Sequence, residues 1–425
     1  MVKPGYKQTE IGVMPESWDT ITLEDCFAIL PNNTLSRAEL NYNGGQIRNI
    51  HYGDILVKFP AVLDCSAEGL PYINKEKVAK ASKGFLRDGD LIMADTAEDV
   101  IVGKSTEVIG IGDSKVVSGL HTIPCRPKDA EMFAPKWLGY FINHCTYHDQ
   151  LIPYITGIKV SSVSKSAISS TVIAIPPKPE QKAIAEALSD IDILIVNLEK
   201  LIAKKKAIKQ GAMQELLTGK RRLSGFTEKW NKIKLGECCG FLSGGTPSKA
   251  NNEWWNGTIP WISSSDISAN DINRIPISRF ISQDALEHSA TKLCPVHSVL
   301  IVSRVGVGKV AVNCCELCTS QDFTTLVPRL HDAHYLAYCL LPIMQEKASQ
   351  AQGTSIKGIT TDDIAEIEVF LPEKDEQKAI AGVLSDMDMD VQRLEQKLLK
   401  CRLIRQGMMS ELLTGRIRLV EKEDA

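Results

Sequence analysis

No apolar run in the 425-residue chain approaches the ~18 residues that a bilayer-spanning helix needs. The opening Met1-Val2-Lys3-Pro4-Gly5-Tyr6 lacks the apolar stretch of a secretory signal. An excess of either charge is missing too: 49 Lys and Arg face 52 Asp and Glu. A net charge of −3 excludes a protein that is basic overall and leaves only local basic faces. The twelve cysteines show no framework spacing, as expected of reduced thiols in a cytoplasmic protein. Catalytic signatures are equally scarce. There is no Asn/Asp-Pro-Pro-aromatic tetrapeptide of the kind amino-methyltransferases use, and no G-x-G-x-x-G nucleotide turn. Val102-Gly103-Lys104-Ser105 has the end of a P-loop, but Glu98 stands where its first glycine belongs. Gly306-Val307-Gly308-Lys309 has Ser303 at that place and no Ser or Thr after the lysine. Both fragments read as turns between strands, and cofactor chemistry is expected in a partner.

What the chain does contain is a repeat. Glu180-Gln-Lys-Ala-Ile-Ala185 recurs as Glu376-Gln-Lys-Ala-Ile-Ala381, and Glu215-Leu-Leu-Thr-Gly219 as Glu411-Leu-Leu-Thr-Gly415. The offset is 196 throughout, with 24 identities in the 44 positions from Glu180 to Leu223. Upstream the match is fainter and the offset is 212: Trp18, Ile21, Leu23 and Cys26 align with Trp230, Ile233, Leu235 and Cys238, and Ile50, Asp54 and Ile55 with Ile262, Asp266 and Ile267. Gly157, Ile168 and Pro176 match Gly353, Ile364 and Pro372 at 196 again. The second copy is therefore shorter in its middle, where surface loops tolerate loss. At ~150 residues per domain, two copies of a two-part unit fit the length.

The two parts of each copy differ in period. Between Trp18 and Pro176, and between Trp230 and Pro372, short β-branched runs such as Asp90–Ala94, Ser298–Val302 and Lys309–Val312 alternate with Gly, Asn, Asp and Ser breakers. Helices are expected at Pro135–His148 and Ala333–Ser349. The near-identical parts are helical. Prolines 176, 177 and 179 set an entry, Glu180 complements the helix dipole, and Gly219 and Gly415 end the helices just before Arg221, Arg222, Arg416 and Arg418. Ile191, Ile195, Leu198 and Ile202, and Met387, Val391, Leu394 and Leu398, form a seam of heptad type. Nearly thirty residues is longer than packing on one domain requires, so the two helices are expected to pair. A pseudo-twofold makes such a pair antiparallel, a rod of roughly 45 Å with a globular domain near each end. The fold class is thus α+β: two strand-rich domains separated by two long antiparallel helices that form a coiled-coil spacer. The boundaries are 1–178, 179–222, 223–374 and 375–425.

This layout resembles the specificity (S) subunit of Type I restriction–modification systems over nearly the whole chain. The helical repeats carry the resemblance, with Gly225-Phe226 and Trp230 opening the second unit. Ser243-Gly-Gly-Thr-Pro-Ser248, Trp255–Trp261 and Asp266-Ile267 look like the start of a target recognition domain, and Gln352–Gly358 like its end. In the first domain, Asn41-Tyr-Asn-Gly-Gly45 and Gly157-Ile-Lys-Val160 are weaker counterparts. The resemblance implies a DNA-reading adaptor without an active site, each variable domain reading half of a split, asymmetric target in double-stranded DNA. It further implies two modification subunits docked on the helical regions, methylating adenine with S-adenosylmethionine. A restriction subunit using ATP and Mg is an optional further partner. The rival class is a scaffold whose coiled coil joins two protein-binding domains, which leaves unexplained why the helices stay alike while the globular parts diverge.

Candidate DNA contacts lie near glycine and serine turns, where a loop approaches phosphate: Lys104, Lys159 and Lys165 in the first copy, Lys249, Arg304, Lys309, Ser355 and Lys357 in the second. Arg48 and His51, and Ser263, Ser264 and Ser265 at the aligned turn, are placed to reach base edges. Trp254, Trp255 and Trp261 read as core anchors. Glu180-Gln-Lys182, Glu376-Gln-Lys378 and Glu395-Gln-Lys397 imitate a nuclease core but are expected on solvated helix faces, as is the run Lys204–Lys206 with Lys209. Cys315, Cys318, His331 and His334 have spacing near that of a zinc finger; without a counterpart in the first copy they read as buried thiols and surface histidines.

Overall fold

The computed structural model describes residues 2–157, 160–351 and 358–419. Its contacts divide the chain into two units, residues 1–198 with 397–425, and residues 199–396. Each unit therefore holds one globular domain, the beginning of the helix that follows it and the end of the other long helix.

In the first unit the strand Asp19–Thr22 pairs antiparallel with Val172–Ile175, which brings the first and last parts of the globular domain together. Between them lie two sheets. One runs in the order Phe27–Ile29, Thr122–Pro127, Leu91–Ala94, Ser105–Ile109 and Val62–Asp64; the other in the order Val116–Ser118, Arg48–Ile50, Tyr72–Ile73 and Leu40–Asn41. The second unit repeats the plan. Asn231–Lys234 pairs with Glu368–Leu371. One sheet runs Cys239–Ser243, Phe323–Pro328, Val299–Val302 and Val310–Val312, and the other Arg279–Ile281, Ile259–Ile262, Leu317–Thr319 and Leu293–Cys294. Each second sheet contains one parallel pair, Val117 opposite Asn49 at the edge of the first and Trp261 opposite Cys318 in the middle of the second.

Equivalent strands show where the second copy lost residues. The offset is 212 at Phe27 and Cys239, 208 at Leu91 and Val299, 205 at Ser105 and Val310, 201 at Thr122 and Phe323, and 196 at Val172 and Glu368. The loss is thus spread over four connections and touches no central strand. The expected helix Pro135–His148 is broken into Trp137–Ile142 and Cys145–His148, because the His144 ring caps the second piece by accepting from Thr146 N. Its counterpart runs unbroken over Ala333–Ala351.

The long helices span Lys178–Leu216 and Lys374–Leu412, 39 residues each, or ~58 Å and longer than the heptad seam predicted. Their first turns belong to the domain cores. Ile184, Ala185 and Leu188 pack with Trp18, Trp137 and Phe141, and also with Leu412 and Leu413 of the other helix. Ile380, Ala381 and Leu384 pack likewise with Tyr335, Tyr338, Leu216 and Leu217. This is what the twin sequences Gln-Lys-Ala-Ile-Ala and Glu-Leu-Leu-Thr-Gly accomplish: the start of one helix meets the end of the other in a shared apolar core. Each helix stops at a glycine in the left-handed region, Gly219 at φ 69° and Gly415 at φ 68°. The Arg221 N–H then returns to Glu215 O, and the Ile417 N–H to Glu411 O. A side chain at Gly415 would also strike Pro15 at 2.5 Å and Trp18 at 3.1 Å.

Two polar clusters per unit fix the register. Glu180, fully buried, accepts from Arg418 Nε (2.6 Å) and Nη2 (2.8 Å) and from Trp18 Nε1 (2.9 Å). Glu376, 1% exposed, accepts from Arg222 Nε (2.6 Å) and Nη2 (2.8 Å) and from Trp230 Nε1 (3.0 Å). The next residues are buried as well: Gln181 accepts from Ala134 N and donates to Pro176 O, while Gln377 accepts from Asp332 N and donates to Pro372 O. The expectation of a solvated face is corrected for Glu180, Gln181, Glu376 and Gln377, beside exposed Lys182 and Lys378; Glu395, Gln396 and Lys397 are exposed as expected. Farther along, Asp192 takes Tyr140 Oη (3.0 Å) and pairs with Arg405; Asp388 takes Tyr338 Oη (2.7 Å) and pairs with Lys209. Lys205 pairs with Asp390 (3.2 Å) and Lys206 with Glu395 (2.7 Å), so this lysine run faces the other helix rather than water alone. Within each unit the pairing is antiparallel.

One buried carboxylate belongs to the first domain alone. Glu107 accepts the N–H groups of Lys136 (2.6 Å) and Gly139 (2.9 Å) at the start of Trp137–Ile142. Burial outweighs these bonds and pushes its pKa up to about 7. A folded pKa above the unfolded one gives stability that is full below pH ~4.5 and lost as pH rises through about 7. The loss by pH 8 amounts to roughly 3 kcal/mol at 1.36 kcal/mol per pKa unit. Glu107→Gln removes one acceptor at every pH but also removes the titration. Urea midpoints measured at pH 5 and pH 8 are expected to differ less for the variant than for the parent; an unchanged difference would assign the pH dependence elsewhere.

Candidate nucleic-acid interface

In the first unit, segments far apart in sequence meet around His121, which sits at φ 53°. Asp95 N–H donates to His121 O, Val163 N–H to Asp95 O, and Asn32 Nδ2 to Gly119 O. The His121 ring lies 3.4 Å from the Asp95 carboxylate and edge-on to Tyr52, at 5.2 Å between centroids. Thr96 and Ala97 pair with Ser162 and Ser161. Four connections thus converge at the ends of strands of the two sheets: those around 32, 52, 95–104 and 119–121, joined by the segment at 161–163.

The second unit builds the same convergence around Asp322, the counterpart of His121 at offset 201. Ser303 N–H (2.8 Å) and Arg304 N–H (3.3 Å) donate to Asp322 O, and Ile359 N–H donates to Ser303 O (2.7 Å). Gly245 N–H donates to Thr319 O, as Asn33 N–H donates to Ser118 O in the first unit. That equivalence corrects the sequence match: the counterpart of Ser243–Ser248 is Pro31–Ser36, not Asn41–Gly45. Asn33 occupies the place of Gly245 by bonding its amide to Asn49 Oδ1 and Ser118 O. At Gly245 a side chain would collide with Ala290 and Thr291 backbone at 2.4 Å.

The candidate contact residues divide into those used by the fold and those presented outward. Arg48 donates to Cys65 O (2.6 Å). His51 is buried and caps the turn Tyr52–Val57 by accepting from Gly53 N; burial and the nearby Arg37 lower its pKa. Ser263 occupies the matching cap and bonds to Arg279 and Asp266. Asp54 and Asp266, aligned in sequence, are each gripped by an arginine, Arg37 (2.8 and 2.9 Å) and Arg279. Lys104 and Lys309 are also equivalent: Lys104 Nζ donates to Leu56 O (2.8 Å) and Lys309 Nζ to Ser264 O (2.9 Å), tying the turn after one strand to the turn after another. Burial lowers the Lys104 pKa. Lys165, Lys249 and Arg304 are exposed. Lys159, Ser355 and Lys357 lie outside the described residues. Trp261 is buried, with Trp255 edge-on at 5.0 Å and Arg279 over its face at 4.7 Å. No group of three or more His, Cys, Asp or Glu able to hold a metal occurs among the described residues. Cys318 is fully buried in its strand, and His331 Nδ1 lies 3.0 Å from Gln377 Nε2.

A family model, the Type I restriction modification DNA specificity domain, matches residues 15–210 and again 227–400. The chain belongs to this specificity family. A putative type I restriction enzyme MjaX specificity subunit from Methanocaldococcus jannaschii is 26% identical over 435 residues, covering 97% of each chain. The EcoR124I/EcoR124II specificity subunit of Escherichia coli is 30% identical over 164 residues, 36% of this chain and 40% of that one. The fold is also that of the crystallised Type I S subunit from M. genitalium, with a TM-score of 0.60 at 15% identity over 93% of this chain and 96% of that one. Among the described residues no helix is long and apolar enough to cross a membrane.

For a specificity-family chain, these roles predict different responses to substitution. Lys165→Ala and Lys249→Ala are expected to weaken DNA binding and to lower the slope of log affinity against log salt by about 0.9 each, the value for one lost phosphate contact. His51→Ala is expected to leave that slope unchanged and to cost about 1 kcal/mol of unfolding free energy, the usual effect of a lost helix cap. Binding titrations between 50 and 200 mM salt, with melting curves in parallel, separate the two classes; a reversed pattern would move the interface elsewhere.

Proposed function

We propose that residues 1–178 and 223–374 are target recognition domains, each reading one half of a bipartite, asymmetric DNA target, and that the paired helices set the distance between the halves. The observation that carries this reading is the repetition itself: two units with the same central strand order and different exposed loops, joined through helices held in register by buried ion pairs. Half-sites on DNA lie at fixed distance and rotation, so a ruler needs such a register. A scaffold for two protein partners has no comparable need.

Two modification subunits dock on the two similar helical regions in this reading, and a restriction subunit is an optional addition. S-adenosylmethionine, ATP and Mg belong to those partners, and the assembly works in the cytoplasm. The purified chain is then expected to transfer no methyl groups to DNA from labelled S-adenosylmethionine. With its modification partner, mass measurement is expected to give two of those subunits per chain. Turnover by the chain alone, or saturation at one subunit, contradicts the assignment.

The ruler has its own test. Four residues inserted near Ala203, with a matched insertion near Leu399, lengthen both helices by one turn, roughly 6 Å. With base pairs ~3.4 Å apart, the gap between methylated half-sites is expected to grow by one or two base pairs while the bases within each half stay the same. Sequencing of the methylated adenines reads this directly. A fixed gap with altered half-site bases would remove the helices from the ruler role.

A further inference from the structure

The two units carry one turn at the same place with opposite chemistry. In the first it joins Leu91–Ala94 to the antiparallel Ser105–Ile109, and in the second Val299–Val302 to the antiparallel Val310–Val312. We propose that this turn makes a direct base contact in each half-site, with Arg304 donating to guanine in one and Glu98 accepting from the exocyclic amine of cytosine or adenine in the other. The proposal rests on the DNA-reading role above and assigns specificity within it.

The backbone under Arg304 is held while its side chain is presented. Ser303 and Arg304 both donate their N–H to Asp322 O, Ser303 Oγ lies 3.0 Å from Thr324 Oγ1, and Ile359 N–H closes on Ser303 O. Gly306 at φ 85° and Gly308 at φ 102° turn the chain back toward the tethered Lys309. Arg304 itself is exposed, and among the described residues no acceptor holds its guanidinium. The other outward side chain is Val305, 68% exposed. A guanidinium on a fixed base matches the paired acceptors O6 and N7 of guanine in the major groove.

In the first unit the equivalent turn is longer by three residues and acidic. Gly103 at φ 91° and Lys104 close it, with Gly103 N–H on Ala94 O and Lys104 N–H on Ile101 O. Asp95 is taken by His121 and Thr96, and Asp99 accepts from Ile101 N (3.0 Å) to shape the turn. Val100 and Ile101 are apolar and exposed. Polar readout at the tip therefore falls to Glu98. A carboxylate is repelled by phosphate, so on a face that approaches DNA it is tolerated where a base donor meets it, and the amines of cytosine N4 and adenine N6 are those donors. The two half-sites thus differ in kind at one position each, guanine read by a donor and an amine read by an acceptor.

The test uses the whole chain co-expressed with its modification partner, with the methylated target mapped by sequencing. Arg304→Ala is expected to relax one G·C position in one half-site, lowering discrimination there roughly 5- to 150-fold, the worth of a bidentate contact. Every other position is expected to stay as in the parent. Arg304→Gln is expected to move the same position toward adenine, which glutamine pairs bidentately. Glu98→Ala is expected to relax one position in the other half-site only. An unchanged motif with slower methylation in Arg304→Ala would mark a phosphate contact and overturn the proposal, as would relaxation in both halves. If Arg304→Ala abolishes methylation, activity of Arg304→Gln on an adenine-substituted site supports the proposal, and inactivity of both overturns it. A parent chain that directs no two-part motif would instead defeat the DNA-reading role beneath it.

Discussion

A carboxylate with no access to water must find its hydrogen-bond donors inside the protein, and in each unit that demand is met by an arginine and a tryptophan remote from it in sequence. Glu180 binds Arg418 and Trp18; Glu376 binds Arg222 and Trp230, with distances that agree to about 0.1 Å. Losing either partner would leave a buried charge uncompensated, a cost of about 3–5 kcal/mol. The bidentate arginine fixes direction as well as distance, so the first turn of one long helix, the segment beyond the end of the other and the residue leading into Asp19–Thr22 or Asn231–Lys234 are joined at one atom group. Everything that lies downstream in each unit, from the apolar contacts of Ile184 or Ile380 to the ion pairs of Asp192 or Asp388, starts from that fixed point.

The same anchor is built in two ways. In the second unit, Arg222 and Trp230 are near neighbours in sequence, and residues 219–230 carry the chain directly from the end of a helix into the next domain. In the first unit, Trp18 and Arg418 are four hundred residues apart, and Tyr6 Oη on Gly415 O (2.9 Å) and Arg418 Nη2 on Ser17 Oγ (3.0 Å) add contacts between the same two segments. Closure that a short covalent link gives to one unit is thus supplied to the other by hydrogen bonds and packing, and that unit must offset a far larger loop entropy.

These facts separate what was legible in the sequence from what was not. The repeat, the long helices and the central strands follow from local pattern, and the chain shows them where pattern put them. The burial of Glu180 is not legible locally because its donors are remote: an acid on a first turn is the expected complement to a helix dipole, and the arginine that binds it lies 238 residues away. A signal existed in the equal separation of Glu and Arg in the two copies, from 180 to 222 and from 376 to 418, but it does not say that the pairing crosses between copies. Proximity to a turn does not separate contact residues from the rest, because structural caps and functional side chains both occur there. Arg48, His51 and Ser263 turned out to hold the turns, whereas the exposure of Lys165, Lys249 and Arg304 is decided by tertiary packing. The glycine match between Ser243–Ser248 and Asn41–Gly45 fails for a related reason: the place of Gly245 is taken by Asn33, which is no glycine and whose amide bonds to Asn49 and Ser118.

The contrast between alike helices and divergent domains has a mechanical cause. One residue removed from a helix rotates everything beyond it by about 100° and shifts it by about 1.5 Å. Within the first unit that would carry Asp192 away from both Tyr140 and Arg405, and within the second it would part Asp388 from Tyr338 and Lys209. Each loss leaves charges half-buried without partners, and no local adjustment restores them. A residue removed from a loop between strands changes a closure entropy that varies only as the logarithm of length. The four connections that shortened in the second copy lie between strands whose pairing and order are unchanged, and one of them is the turn that exchanges Glu98 for Arg304. Sequence change is therefore confined by physics to the loops at the strand ends, the same places where a difference in side chains alters what is bound without altering how the chain is held.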